Sequence, residues 1–401
     1  MRLIISCLLG LEASIKNELV NLNYPESRIS AGDGQVILNL NESSYDEILE
    51  DIAKLNLYLR TGQRVLLELG SKKILEYDDL FNYIKSFPWE DYVPEGFFVE
   101  VKFYSLKSKI FGEKASRSIS KKAIVSRLLS ARYITKDYID EDKDFGRFRV
   151  HLAFRNDILS LSIDTSGVSL YKRGYRMLSG AAPIRETLAA AILYYSKYSP
   201  FSDELLYDPF CGSGTFAIEA AMLAANMPPG INRKFAFEQL PFFKKEIYSN
   251  LLRIAKKNID IEKPADIFIY ASDIDSDVLD IARHNASLAG VSDFINFYQA
   301  DFLKERSMTY LRNSGYKNFL VLTNPPYGER LSERSEVRQI HRCLAARFTE
   351  GTFMKKGVRL SVITSDNNFE ADFSYKADKR RKLYNGMKET CLYHYFRQSY
   401  K

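Results

Sequence analysis

Cysteine is scarce in this 401-residue chain and nowhere paired: Cys7, Cys211, Cys343 and Cys391 stand far apart, and no CxxC occurs. That spacing argues against a zinc site or a disulfide framework and fits a reducing cytoplasm. No apolar run approaches the roughly 20 residues that a membrane span needs. The opening MRLIISCLLGLEASIKNEL is broken by Glu12 and Lys16, so it reads as a first strand entering a helix rather than as a signal peptide. Internal repeats and low-complexity segments are missing too, and no GK[ST] follows any glycine-containing loop, which excludes a Walker phosphate site.

The chain is too long for one hydrophobic core, so two or three domains are expected. An apolar fraction of 46% and a charged fraction of 27% are those of an ordinary globular protein rather than a disordered one. The net charge of +6 is modest, but its placement is uneven. Ten lysines and arginines between Val101 and Lys136 are opposed only by Glu113, and a second basic block, YKADKRRKLY, spans Tyr375 to Tyr384.

Hydrophobic periodicity gives the organisation. From Ile4 to about Leu59 the pattern is strand, helix, turn, strand, helix, a small α+β unit placed at residues 1–60. A second unit at 61–166 holds strands at Gly62–Gly70 and Phe97–Ser105, a helix over Gly112–Ala131, and two strands turning at Asn156-Asp157. On that helix Ile119, Ala123, Ile124 and Leu128 share one side, while Lys114, Arg117 and Lys121 can share another, with Lys122 beside them. Such a face suits RNA phosphates, and it equally reads as a solvated amphipathic surface. Residues 167–401 form the third unit. There Pro183 suits the first turn of a helix, and strands alternate with helices to the end, implying a parallel sheet covered on both faces.

Chemistry-bearing residues collect at the ends of those strands. In LLYDPFCGSGTFAIEAAM a strand ends at Asp208, a loop carries Gly212 and Gly214, and a helix follows; glycines permit close approach of a ligand to the backbone, though a tight turn alone would also use them. In IYASDIDSDVLDIARHN, Asp273 sits at a strand's carboxyl end, where a carboxylate can accept both hydroxyls of a ribose, whereas Asp275 and Asp277 also suit helix capping. Asp301 follows the next strand and can accept from an exocyclic amine, or simply serve a turn. In FLVLTNPPYGERL, Asn324 offers an amide oxygen and Pro325 a carbonyl, two adjacent acceptors that match an NH2 group, while Tyr327 offers a flat ring to a base. Pro-Pro is also a rigid turn. No His or Cys accompanies this motif.

Together DPFCGSGT, SDID, QADF and NPPYGER resemble the S-adenosylmethionine-dependent amino-group methyltransferases. Over nearly the whole length, through GLEASIKNEL, LYKRGYR, APIRETLAAAI and NPPYGERL, the chain resembles the THUMP-containing N2-guanine methyltransferases of large-subunit ribosomal RNA. The resemblance implies a C-terminal Rossmann-like class I methyltransferase sheet, preceded by a ferredoxin-like unit and a THUMP-like RNA-binding region. It further implies that Asp208, Gly212 and Gly214 cradle the methionine part of the cofactor, that Asp273 takes the ribose and that Asp301 takes the adenine amine. Asn324, Pro325 and Tyr327 would then hold the target base, and Lys114, Arg117, Lys121 and Lys122 would face RNA. A cytoplasmic enzyme acting on ribosomal RNA with no metal and no membrane is expected. N6-adenine methylation, tRNA guanine methylation and a non-catalytic RNA-binding assembly role remain alternatives, since NPPY specifies an amine more firmly than a guanine.

Overall fold

The computed structural model describes the chain apart from residues 41–42, 177–183, 201, 261–268, 305–310, 312–314, 317, 328–333, 351–356 and 397–401. Pro183 and the Gly328–Leu331 end of the NPPYGERL motif therefore lie outside the described residues. The strands are β1 (Arg2–Ser6), β2 (Ile29–Gly32), β3 (Gln35–Asn39), β4 (Arg64–Lys73), β5 (Gly96–Leu106), β6 (Glu141–Arg155) and β7 (Ile158–Asp164) in the first half. The second half holds β8 (Glu204–Asp208), β9 (Ile269–Asp273), β10 (Ile295–Gln299), β11 (Asn318–Thr323), β12 (Gly357–Thr364), β13 (Lys379–Asn385) and β14 (Lys388–Tyr395).

Among the described residues these build two sheets, ordered β2-β3-β1-β4-β7-β6-β5 and β10-β9-β8-β11-β12-β14-β13. In the first, β1 lies antiparallel between β3 and β4, with a helix after β1 and another after β3, which is a ferredoxin-like arrangement. The second of those helices, Tyr45–Tyr58, starts on a reciprocal capping box: Ser44 Oγ accepts from Glu47 N at 3.3 Å, and Ser44 N donates to Glu47 Oε2 at 2.6 Å. Its Ile48, Leu49, Ile52 and Ala53 are buried. β4 also pairs with β7, so one sheet runs continuously from Arg2 to Asp164. The basic helix Glu113–Ala131 buries Ser116, Ser120, Ala123, Ile124 and Leu128. Ile119, expected on that buried side, is only half-buried.

The second sheet explains why its strands read as unbroken apolar runs. Leu205 and Tyr207 of β8, with Phe319 and Val321 of β11, enter one core, which includes Ile340, Leu344 and Phe369. Leu206, Leu320 and Leu322 point the opposite way into a core shared with Leu188, Phe216 and Leu279. Alternate side chains thus feed two cores on the two faces, as a doubly covered parallel sheet requires. β10, β9, β8, β11 and β12 are parallel.

The expected alternation of strand and helix to the end does not hold. β13 and β14 form an antiparallel hairpin, and β14 pairs antiparallel with β12. The basic block supplies the outer strand, where lysine and arginine suit a sheet edge. Gly386 (φ +69°) and Met387 form a two-residue turn between Asn385 and Lys388, a loop length that favours glycine first. Among the described residues no helix is long and apolar enough to cross a membrane.

Candidate active site

In the parallel sheet the chain moves outward from β8 through β9 to β10, then returns to β8's other side as β11. That reversal opens a crevice at the carboxyl ends of β8 and β11, the place where doubly wound sheets bind ligands. A cavity of about 700 Å³ lies there, lined by Asp208, Gly212, Asp273, Asp301, Asn324, Pro325 and Tyr327 among others.

Asp208 stands beside the crevice, 2% exposed. Its Oδ1 accepts from Thr323 Oγ1 at 2.9 Å, which bridges β8 to β11, and from Phe210 N at 3.2 Å. Burial outweighs these hydrogen bonds and pushes the carboxyl up to about 7 from an ordinary 3.8. The folded state therefore favours the protonated form. The resulting stabilisation is fully present below about 3.8 and is lost as pH rises through about 7. Asp208→Asn keeps an acceptor for Thr323 and removes the titration. Between about pH 4 and 8 the melting temperature of the cofactor-free protein is expected to fall more for wild type than for Asp208→Asn; parallel profiles would refute a neutral Asp208.

The loop after Asp208 is held from below by β9. Cys211 N donates to Ser272 O at 3.0 Å, and Gly212 N donates to Asp273 Oδ2 at 3.0 Å. Gly212 has φ +51°, and a Cβ there would meet no heavy atom within 4 Å, so its bare backbone faces open space. Gly214 behaves differently. It is absent from the cavity lining, and its φ of +83° sets the start of helix Thr215–Ala224. A Cβ there would stand 3.1 Å from Ala282 Cβ, so this glycine permits close helix packing behind the loop. Cys211 lines the cavity, but burial pushes its thiol well above the ordinary range, leaving it protonated and a poor nucleophile.

Asp273 also accepts from Asp275 N at 3.1 Å through Oδ1. Asp275 caps helix Ser276–Ala289 by accepting from Asp277 N and Val278 N, and Asp277 occupies that helix's first turn. Asp301 accepts from Leu303 N at 3.0 Å and lies 3.1 Å from the largely exposed Lys304 ammonium. The Phe210 and Phe302 rings, 4.9 Å apart, form an apolar wall of the same cavity.

Asn324 to Tyr327 line the same cavity. Tyr327 OH donates to Asn324 Oδ1 at 2.6 Å, pinning the ring against the amide. The Lys388 ammonium lies 4.3 Å from the Tyr327 ring centroid. The ring thus carries a cation over it. The Lys388 contact is not legible locally, because Lys388 comes 61 positions later, on the unanticipated hairpin.

The four basic residues named above gather at a different place. Lys114, Arg117, Lys121 and Lys122 line a groove with Phe98, Lys143 and Arg147. Lys121 is engaged there, 2.6 Å from Glu141 and over the Phe98 ring, and Arg117 pairs with Glu113 at 3.2 Å. Lys114 and Lys122 are exposed.

A glycine-backed loop, an apolar wall and two carboxylates around one cavity fit an adenosyl cofactor with a polar amino-acid tail. Comparison with known proteins agrees. Residues 173–394 match a family model described as the RMKL-like methyltransferase domain, and residues 2–66 match the RlmL ferredoxin-like domain. The chain is 34% identical over 398 residues to YpsC of Bacillus subtilis (strain 168), covering 98% of this chain and 95% of that one. It is 30% identical over 397 residues to a ribosomal RNA large subunit methyltransferase K/L of Legionella pneumophila (strain Philadelphia 1), covering 98% of this chain but only 52% of the longer relative. Among solved structures it is similar to SMU.472 complexed with SAH, with a TM-score of 0.83, 33% identity, and coverage of 100% of this chain and 99% of that one. The chain belongs to the RlmKL-like family of S-adenosylmethionine-dependent methyltransferases.

Proposed function

We propose that this protein methylates the exocyclic N2 of a guanine in large-subunit ribosomal RNA, in the cytoplasm. The observation that carries this reading is the position of Asn324, Pro325 and Tyr327 on the same cavity as Gly212, Asp273 and Asp301. Residues suited to an amine thus share one cavity with residues suited to the cofactor. The K/L relatives' names and the motif resemblance support the RNA and the guanine.

S-adenosylmethionine, when bound, supplies an electrophilic methyl group. The loop at Gly212, with Asp208 beneath it, would hold the methionine part; Asp273 would take the ribose and Asp301 the adenine amine, its exposed pair with Lys304 yielding at little cost. Gly214 acts indirectly, by letting the helix behind the loop pack closely. A guanine amine is a poor nucleophile because its lone pair is delocalised into the ring. Asn324 Oδ1 and the Pro325 carbonyl would accept its two hydrogens, biasing the nitrogen toward a tetrahedral geometry and aiming the lone pair. Asn324 Oδ1 already takes the Tyr327 hydroxyl, but an amide oxygen has a second lone pair. Tyr327 would stack on the base. Once methylated, the amine would be acidic enough to pass its proton to water, so orientation would do most of the catalysis and no strong base is needed.

A stacked, paired base cannot enter this cavity, so the target nucleotide is unpaired or flipped out. We assign residues 1–60 and 61–166 to RNA docking and 167–401 to transfer, with Lys114, Arg117, Lys121 and Lys122 contacting phosphates. Replacing Lys114 and Lys122 together with alanine is expected to flatten the dependence of log affinity for RNA on log salt by about 1.5 to 2, without changing cofactor binding. An unchanged slope would remove this groove from the RNA interface. Nucleoside mass spectrometry of RNA from cells with and without the protein tests the whole reading. Loss of one N2-methylguanosine from large-subunit RNA is expected, and loss of N6-methyladenosine instead would overturn it.

A further inference from the structure

The hairpin that ends the methyltransferase sheet carries an exposed residue next to one that contacts the cavity lining. Met387, second residue of the β13–β14 turn, is 100% exposed. At that exposure, core packing does not fix the identity of the side chain, so a methionine there is available to a partner. Its neighbours do reach the site. Lys388 lies over Tyr327, which lines the cavity. On the other side Asn385 Oδ1 accepts from Arg185 N at 3.4 Å, and Arg185 follows Ile184, another lining residue. The turn is therefore tied to two walls of the pocket mouth. It is also short, with Gly386 in the left-handed region, so it presents Met387 on a stiff support.

Behind the turn runs the basic block that the catalytic chemistry leaves unused. Lys379, Arg380 and Lys382 are exposed along β13, the outermost strand of the sheet. Lys382 is paired with Glu389 at the surface, a contact weak enough to exchange for a phosphate, whereas Arg380 makes a two-pronged pair with Glu370. A cationic edge leading to a bare methionine beside a base-sized pocket has a specific use. When a nucleotide turns out of a stack, its neighbours lose stacking, and an unbranched, polarisable side chain inserted at that step restores part of it.

We propose that Met387 is a wedge that enters the RNA base stack vacated by the target nucleotide, while the β13 cations follow the adjoining backbone. The inference rests on the RNA-methylation reading and assigns Met387 a positioning role rather than a catalytic one. It is tested with large-subunit RNA isolated from cells lacking the protein, used either folded or as heat-denatured short fragments, with labelled S-adenosylmethionine. Met387→Ala is expected to lower kcat/KM on folded RNA by about tenfold and on fragments by less than about twofold, because only the folded substrate must be unstacked. Met387→Leu should transfer at the wild-type rate on both. Equal loss on both substrates, or no loss on either, would overturn the wedge. Failure of the underlying reading looks different: wild-type protein then methylates neither RNA, and the wedge falls with it.

Discussion

Asn324→Ala is expected to lower the rate of methyl transfer by about a hundredfold to a thousandfold, the scale seen when one preorganised hydrogen-bonding group is removed from a reaction centre. Cofactor affinity should stay within about twofold, since the glycine loop is tethered to Ser272 and Asp273 of β9 rather than to Asn324. The variant loses an acceptor for the target amine, and it also removes the hydrogen bond that Tyr327 OH donates to Asn324 Oδ1 at 2.6 Å. Alignment of the amine and orientation of the stacking ring therefore fail together. Tyr327→Phe separates them: it removes the hydroxyl but keeps the ring and both acceptors, so its loss should be much smaller than that of Asn324→Ala. Isothermal titration with S-adenosylhomocysteine alongside single-turnover kinetics gives both readouts. If Asn324→Ala lost cofactor binding in proportion to rate, its assignment to the acceptor base would be wrong.

The parts of this site that the sequence discloses are those encoded locally. β8 and β11 are continuous apolar runs because both their faces are covered, and each run stops at a polar residue, Asp208 or Thr323-Asn324, where the sheet meets the crevice. Strand ends and their loops can be read without knowing what lies beside them. Relations between distant segments cannot. The Thr323 hydroxyl on Asp208 joins positions 115 apart, and it depends on β11 returning next to β8 rather than beyond β10. The covering of Tyr327 by Lys388 depends on a hairpin whose outer strand reads as a run of charge. The local cue for that hairpin was Gly386, between two strands whose inward positions include Leu383 and Leu392. Gly214 shows the converse difficulty. Its spacing from Gly212 suggests a shared task at the ligand, whereas one faces open space and the other faces Ala282.

Asp273→Ala is expected to weaken S-adenosylmethionine binding by about a hundredfold, on the order of two hydrogen bonds to a charged group. Two effects act in the same direction. The carboxylate receives Gly212 N–H at 3.0 Å and Asp275 N–H at 3.1 Å, so it fixes the glycine loop to the end of β9 before any ligand arrives. In the proposed complex it also accepts from the ribose, using lone pairs that these backbone contacts leave available. A substitution alone mixes loop order with ribose recognition, and a ligand change separates them. Wild-type protein should bind S-adenosylhomocysteine about tenfold or more better than its 2′-deoxy analogue, while Asp273→Ala should hardly distinguish the two. Unchanged affinity in Asp273→Ala would exclude the residue from the cofactor site. Weakened affinity with the discrimination intact would leave Asp273 as the anchor of the loop and pass the ribose to another group.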